Sequence, residues 1–152
     1  TAGTQLLFGL GGADTLSGGD GADRLDGGPG ADILIGGKGA DVLTGGTGSD
    51  TYVWQAGDND GSIDRIVGGF DGVTTPASGG DVIDLSQLLP GYVEGTSNIA
   101  NFVQFNVSGS NTTVRIDTTG TGNFAAGTDI VTIEGVTGLD LNQMKAHANL
   151  VA

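Results

Sequence analysis

Five aspartates, Asp14, Asp23, Asp32, Asp41 and Asp50, stand nine residues apart, and two positions beyond each comes an apolar side chain, Leu16, Leu25, Leu34, Leu43 and Tyr52. If the chain coils so that every second repeat stacks on the last, those carboxylates lie about 4.8 Å apart, the spacing of paired strands. Two bare carboxylates at that distance repel by roughly 3.5 kcal/mol at an effective dielectric near 20. A divalent cation between neighbouring turns reverses the sign. With no cysteine and with His147 as the single histidine, the donors are oxygens alone, which selects calcium over zinc or copper. Magnesium fits less well, because it demands a tight octahedron and holds its waters.

The elements that must position these aspartates follow from the same register. From residue 18 the chain reads GGDGADRLD, GGPGADILI, GGKGADVLT and GGTGSDTYV, ending at Val53. The block before it, GLGGADTLS, has Leu10 in place of the second glycine, and TAGTQLLF keeps Leu7 but puts Gln5 in the aspartate slot, as a decayed cap would. Each nonamer divides into six turn residues and three that suit a short strand. Two nonamers then make a flattened coil of 18 residues, whose stacked strands pair in parallel around a leucine ladder. A flexible glycine linker has no reason to keep an apolar residue in register over six periods. Turns starting at residues 9, 27 and 45 share one edge and leave two clefts, while those at 18 and 36 share the other and leave one. Three calcium ions are the expected minimum, and irregular end turns add one or two.

Composition supports this and excludes other classes. Glycine accounts for 31 of 152 residues without a collagen period, and the net charge is −13. Of 18 acids only Glu94 and Glu134 are glutamates, which leaves 16 short aspartates suited to turns and oxygen cages. With no basic patch, nucleic acid and anionic membrane are poor partners. No apolar run is long enough to span a membrane and no signal leader opens the chain. Since it begins in mid-pattern, it is expected to be a piece of something longer.

Past Tyr52 the period loosens. Asp64-Arg65-Ile66 and Asp81-Val82-Ile83 keep the aspartate signature after longer insertions, so the roll is expected to run on for a turn or two, and Asp64 and Asp81 join the candidate ligands. Asp58, Asp60 and Asp71 suit either ordinary Asx-turns or a closing calcium site. Asp84 and Asp117 read as turn or strand-end residues. Ser86 to Leu89 before Pro90 reads as one helical turn. Val103, Phe105 and Val107 and then Val114 and Ile116 alternate across Ser108-Gly109-Ser110-Asn111 as a hairpin, with Ile130–Ile133 as a third strand. Asp140 would N-cap a last helix carrying Leu141, Met144 and Ala148. Tyr52 and Trp54 suit a cap on the leucine core better than a sugar platform. No Ser, Asp and His set converges on His147, so the chain is read as no enzyme.

GGDGADRLD, GGPGADILI and GGKGADVLT resemble the nonapeptide of the repeats-in-toxin (RTX) family, a calcium-binding parallel β-roll. The resemblance implies ligands beyond the aspartates. They are main-chain carbonyls of Gly9 and Gly11, of Gly18 and Asp20, of Gly27, Pro29 and Gly30, of Gly36, Lys38 and Gly39, and of Gly45, Thr47 and Gly48. The expected fold is an all-β chain, with a roll over residues 1–70 and a β-rich, antiparallel, sandwich-like cap with a short terminal helix over 71–152. TYVWQAGDND and the segments after it resemble the C-terminal end of large bacterial adhesins exported by type I secretion. That implies a module folding on calcium after export, with type I machinery as partner and a secreted or cell-surface location reached without an N-terminal signal. Surface glycans would be met through the parent protein. The rival reading attaches the same roll to a secreted alginate epimerase, lipase or metalloprotease. An ice-binding solenoid is disfavoured, because Thr44, Thr47 and Thr51 form no regular array.

Overall fold

The computed structural model describes residues 3–68, 70, 80–139 and, for the backbone, 150–151. The expected final helix, with His147, and Asp71 lie outside these residues. Strands β1 (Leu6–Phe8), β2 (Thr15–Asp20), β3 (Arg24–Pro29), β4 (Ile33–Lys38), β5 (Val42–Thr47) and β6 (Thr51–Val53) alternate between two sheets, followed by β7 (Asp64–Ile66) and β8 (Val82–Asp84). Like strands pair in parallel 18 residues apart, Leu7 with Leu25, Leu25 with Leu43 and Leu16 with Leu34. That offset is two nonamers per coil.

Parallel stacking in register brings the eighth-slot side chains onto one inward line. Leu25, Leu34, Leu43 and Tyr52 are buried, Leu7 packs against them, and Ile66 and Ile83 continue the line. Burying each such side chain contributes on the order of 1.5–3 kcal/mol. Tyr52 and Trp54 both belong to this core, with Tyr52 5.9 Å from the Phe70 ring, so neither offers a face to sugar.

Second-slot glycines must adopt positive φ, as at Gly37 (97°). Leu10 holds the equivalent place at φ 77°, alone among described non-glycine residues, with its side chain largely exposed. A left-handed L-residue costs roughly 1–2 kcal/mol, partly offset by glycine's greater unfolded-state entropy. Leu10→Gly is expected to raise the melting temperature in calcium by a few degrees; an unchanged or lower melting point would place the strain elsewhere.

β9 (Val103–Ser108) and β10 (Asn111–Ile116) form the expected hairpin, and β11 (Thr128–Ile133) pairs antiparallel with β10. β11 also lies parallel to β7, joining the antiparallel strands to a seven-stranded sheet ordered β1-β3-β5-β7-β11-β10-β9. The second sheet runs β12-β8-β6-β4-β2, β12 being Leu150–Val151. Thus pairings cross residue 70 in both sheets. Short 3-10 turns at Ile99–Asn101 and Phe124–Ala126 are the only helical elements among the described residues, and neither is long enough to cross a membrane. Leu88 N donates to the Leu85 carbonyl, closing the single turn expected before Pro90.

Candidate metal centre

The turns starting at residues 9, 27 and 45 lie along one edge of the roll, those at 18 and 36 along the other. From Asp23 onward, each sixth-slot aspartate is held by the backbone of the coil before it. Oδ1 of Asp32 accepts Asp14 N at 2.8 Å, that of Asp50 accepts Asp32 N at 3.0 Å, and that of Asp81 accepts Asp50 N at 2.9 Å. Along the second edge Asp23 accepts Gln5 N at 2.6 Å, Asp41 accepts Asp23 N at 2.7 Å and Asp64 accepts Asp41 N at 2.9 Å. Asp64 and Asp81 therefore hold the ladder register expected of them, despite insertions that stretch the offset to 23 and 31 residues.

One oxygen of each of these six carboxylates is satisfied in this way. Oδ2 is buried without a hydrogen-bond partner in Asp14, Asp23, Asp32 and Asp41. A buried carboxylate oxygen left so is costly. Burial is the leading cause that pushes Asp41 up to about 6, with the charges of Asp23, Asp58 and Asp60 adding and the Asp23 N–H opposing. Burial likewise pushes Asp64 up to about 7, against hydrogen bonds from Asp41 N–H and the Trp54 indole, with the charges of Asp41 and Asp58 adding.

First-slot glycines leave the room these oxygens face. A Cβ on Gly27 would stand 2.5 Å from Asp32 Oδ2 and 2.7 Å from the Gly45 carbonyl oxygen of the next coil. One on Gly9 would meet Asp14 Oδ2 at 2.9 Å and the Gly27 oxygen at 2.6 Å, and one on Gly18 would meet Asp23 Oδ2 and, at 2.6 Å, the Gly36 oxygen. A carboxylate oxygen and a next-coil carbonyl thus share the same space at three turns. At Gly36 the three nearest atoms all belong to Asp41. Among the described residues no three carboxylate, imidazole or thiolate groups converge, so a cation here would be held by carboxylate and main-chain oxygens together. That donor set fits calcium.

Third-slot carbonyls are engaged otherwise. Those of Asp20, Pro29, Lys38 and Thr47 accept the fourth-slot N–H of the preceding coil, as in Gly21 N to Lys38 O at 2.8 Å and Gly30 N to Thr47 O at 2.8 Å. Each keeps a second lone pair.

Four other aspartates form turns. Asp58 Oδ2 accepts Gln55 N, Asp60 Oδ1 accepts Ser62 N, and Asp84 Oδ1 accepts Ser86 N. Both oxygens of Asp117 are bonded, to the Thr119 hydroxyl and N–H, the Thr121 hydroxyl and Asn123 N–H, which holds its carboxyl down at about 2 with Thr119 the leading cause. Sequence reasoning missed two side chains that enter the ladder. Gln5 Nε2 donates to the Gly18 carbonyl at 2.5 Å, and Trp54 Nε1 donates to Asp64 Oδ2 at 2.7 Å. Their signal was positional, Gln5 standing in the aspartate slot and Trp54 nine residues past Gly45 in the first-glycine slot.

Comparison with known proteins agrees with this geometry. Residues 1–34, 18–52 and 26–60 match the RTX calcium-binding nonapeptide repeat (4 copies). The solution structure of the AlgE6R3 subunit of the Azotobacter vinelandii mannuronan C5-epimerase is similar over 99% of this chain and 80% of its own, at 27% identity and a TM-score of 0.57. The AlgE6R2 subunit of the same epimerase is similar over 95% and 89%, at 25% identity and a TM-score of 0.54. No curated protein sequence matches the chain.

Proposed function

We propose, on the premise that the N-terminal roll is an array of RTX calcium-binding nonapeptide repeats, that this chain is a calcium-triggered folding module of an exported protein. The observation that carries this is the row of buried Oδ2 atoms facing next-coil carbonyls across glycine-shaped gaps. In a calcium-poor cytosol the ladder repels itself and the chain stays open enough to thread a channel. Outside, calcium bound by Asp14, Asp23 and Asp32 with the Gly27, Gly36 and Gly45 carbonyls locks coil to coil, so that binding free energy appears as folding free energy. Three ions are the minimum this register offers. Asp41, Asp50, Asp81 and the carbonyls of the remaining turn residues are the candidates for any further ion.

Residues 1–70 supply the calcium response in this reading, and the strands beyond them cap the core and present the end recognised by type I export machinery. The chain acts outside the cell as a non-catalytic part. Of the two parents considered, the likeness to epimerase subunits along nearly the whole chain favours a secreted polysaccharide-acting enzyme over a large adhesin. Glycan contact is then carried mainly by the parent. Arg24 and Arg65 project outward from β3 and β7, and Arg65 Nε donates to Glu134 at 2.7 Å.

Circular dichroism during a calcium titration tests the central claim. Little β-signal in excess chelator should give way to a cooperative gain, with magnesium failing to substitute at equal concentration. A chain fully β-structured in chelator would sink the reading.

A further inference from the structure

At three turns, an aspartate Oδ2 and the carbonyl thirteen residues ahead of that aspartate face one gap: Asp14 with Gly27, Asp23 with Gly36, Asp32 with Gly45. Carried back one coil along the second edge, the same offset pairs residue 5 with Gly18. There the pair is already closed, because the Gln5 carboxamide nitrogen bonds the Gly18 oxygen at 2.5 Å, while Gln5 N keeps the ordinary ladder bond to Asp23 Oδ1. A neutral N–H donor points at the carbonyl that a cation faces elsewhere in the row.

The other end of that edge is closed in the same chemical manner. Asp64 keeps its ladder bond through Oδ1, yet its Oδ2 accepts the indole N–H of Trp54 at 2.7 Å. Trp54 sits in the slot where every complete nonamer has a glycine, and from there its indole reaches Asp64. It is buried together with Asp64.

We propose that Gln5 and Trp54 are neutral end-plugs of the second cation row, N–H donors that replace a calcium ion at each end and confine metal binding on this edge to the turns between them. Asp64 is then a structural acceptor and no calcium ligand. The plugs solve a problem inherent in a finite ladder. An end turn has a partner coil on one side only, so an ion there would find half its oxygen donors, whereas an N–H needs one acceptor. They also set the number of ions, since the row ends where the side chain changes from carboxylate to donor.

This inference rests on the calcium reading, and the same measurement separates the two. Bound calcium per folded chain is counted by native mass spectrometry and checked by equilibrium dialysis for the full chain and three variants. Gln5→Asp restores the carboxylate and should bind one ion more. Asp64→Asn, at the opposite end, should leave the count unchanged, whereas Asp23→Asn should lose one ion. An unchanged count in Gln5→Asp, or a loss of one ion in Asp64→Asn, overturns the plugs while leaving the calcium module intact. A parent chain that binds no calcium overturns the functional reading itself. The two plug variants lie at opposite ends of the roll, so failure of one to fold leaves the other decisive.

Discussion

Gly27→Ala is expected to raise the calcium midpoint for folding at least about tenfold, a larger effect than most surface substitutions. Its Cβ would lie 2.5 Å from Asp32 Oδ2 and 2.7 Å from the Gly45 oxygen, nearer than real Cβ contacts allow. The carboxylate can rotate away, but the carbonyl belongs to a stacked coil and cannot move without disturbing the β3–β5 ladder. Gly27 has no positive φ, so space and not backbone freedom is what alanine removes. An ion at 100 times its dissociation constant contributes about 2.7 kcal/mol, and losing one cleft should lower stability in saturating calcium by about that amount. Asp32→Ala should do at least as much, because Asp14 N–H also loses its acceptor. Gly11→Ala serves as the control, its nearest neighbour being the Pro29 oxygen at 3.7 Å. Equal midpoints for Gly27→Ala and Gly11→Ala would remove the first-slot gap from the site.

In excess chelator, acidification from about pH 7.5 to pH 5 should increase the folded fraction. Asp41 and Asp64 stand at about 6 and about 7 in the fold against an ordinary 3.8, burial being the first cause in each. A group whose folded value is raised leaves stability intact below its unfolded value and removes it as pH climbs through the folded one. The window therefore runs from about pH 4 to pH 7, and the charged side of it is the destabilised side. Calcium reverses the trend, since protons then compete with the ion for the carboxylates that bind it and the midpoint rises as pH falls. Far-UV circular dichroism at fixed temperature, with chelator and then with calcium, would show the two slopes. A chelated chain that loses structure on mild acidification would show that these carboxylates ionise without penalty.

Much of the roll was legible because a solenoid turns tertiary contact into sequence period. A leucine every nine residues is already a core line once two nonamers close a coil, and Leu25, Leu34 and Leu43 are buried for that reason alone. The sixth-slot aspartates were legible by the same logic. The period also carried the register past its own breakdown, since Asp64 and Asp81 continue the ladder after insertions of unlike length. What those insertions do in between was not legible. Nothing in the spacing says that Asp58 and Asp60 close local turns while Trp54 reaches Asp64 ten residues on.

By itself the amino-acid sequence determined the parallel roll, its leucine interior, the placing of one carboxylate per turn and the oxygen-only donor chemistry, because each depends on side-chain type and a repeat of nine. Tertiary structure decided which carboxylate oxygen is already bonded and which faces a gap, a matter of about an ångström in how one coil sits on the next. It also decided where the row of gaps ends, through Gln5 and Trp54, and that β11 joins β7 and so binds the antiparallel strands to the roll. Those outcomes turn on the reach of single side chains and on pairings between distant segments, for which a local pattern holds no record.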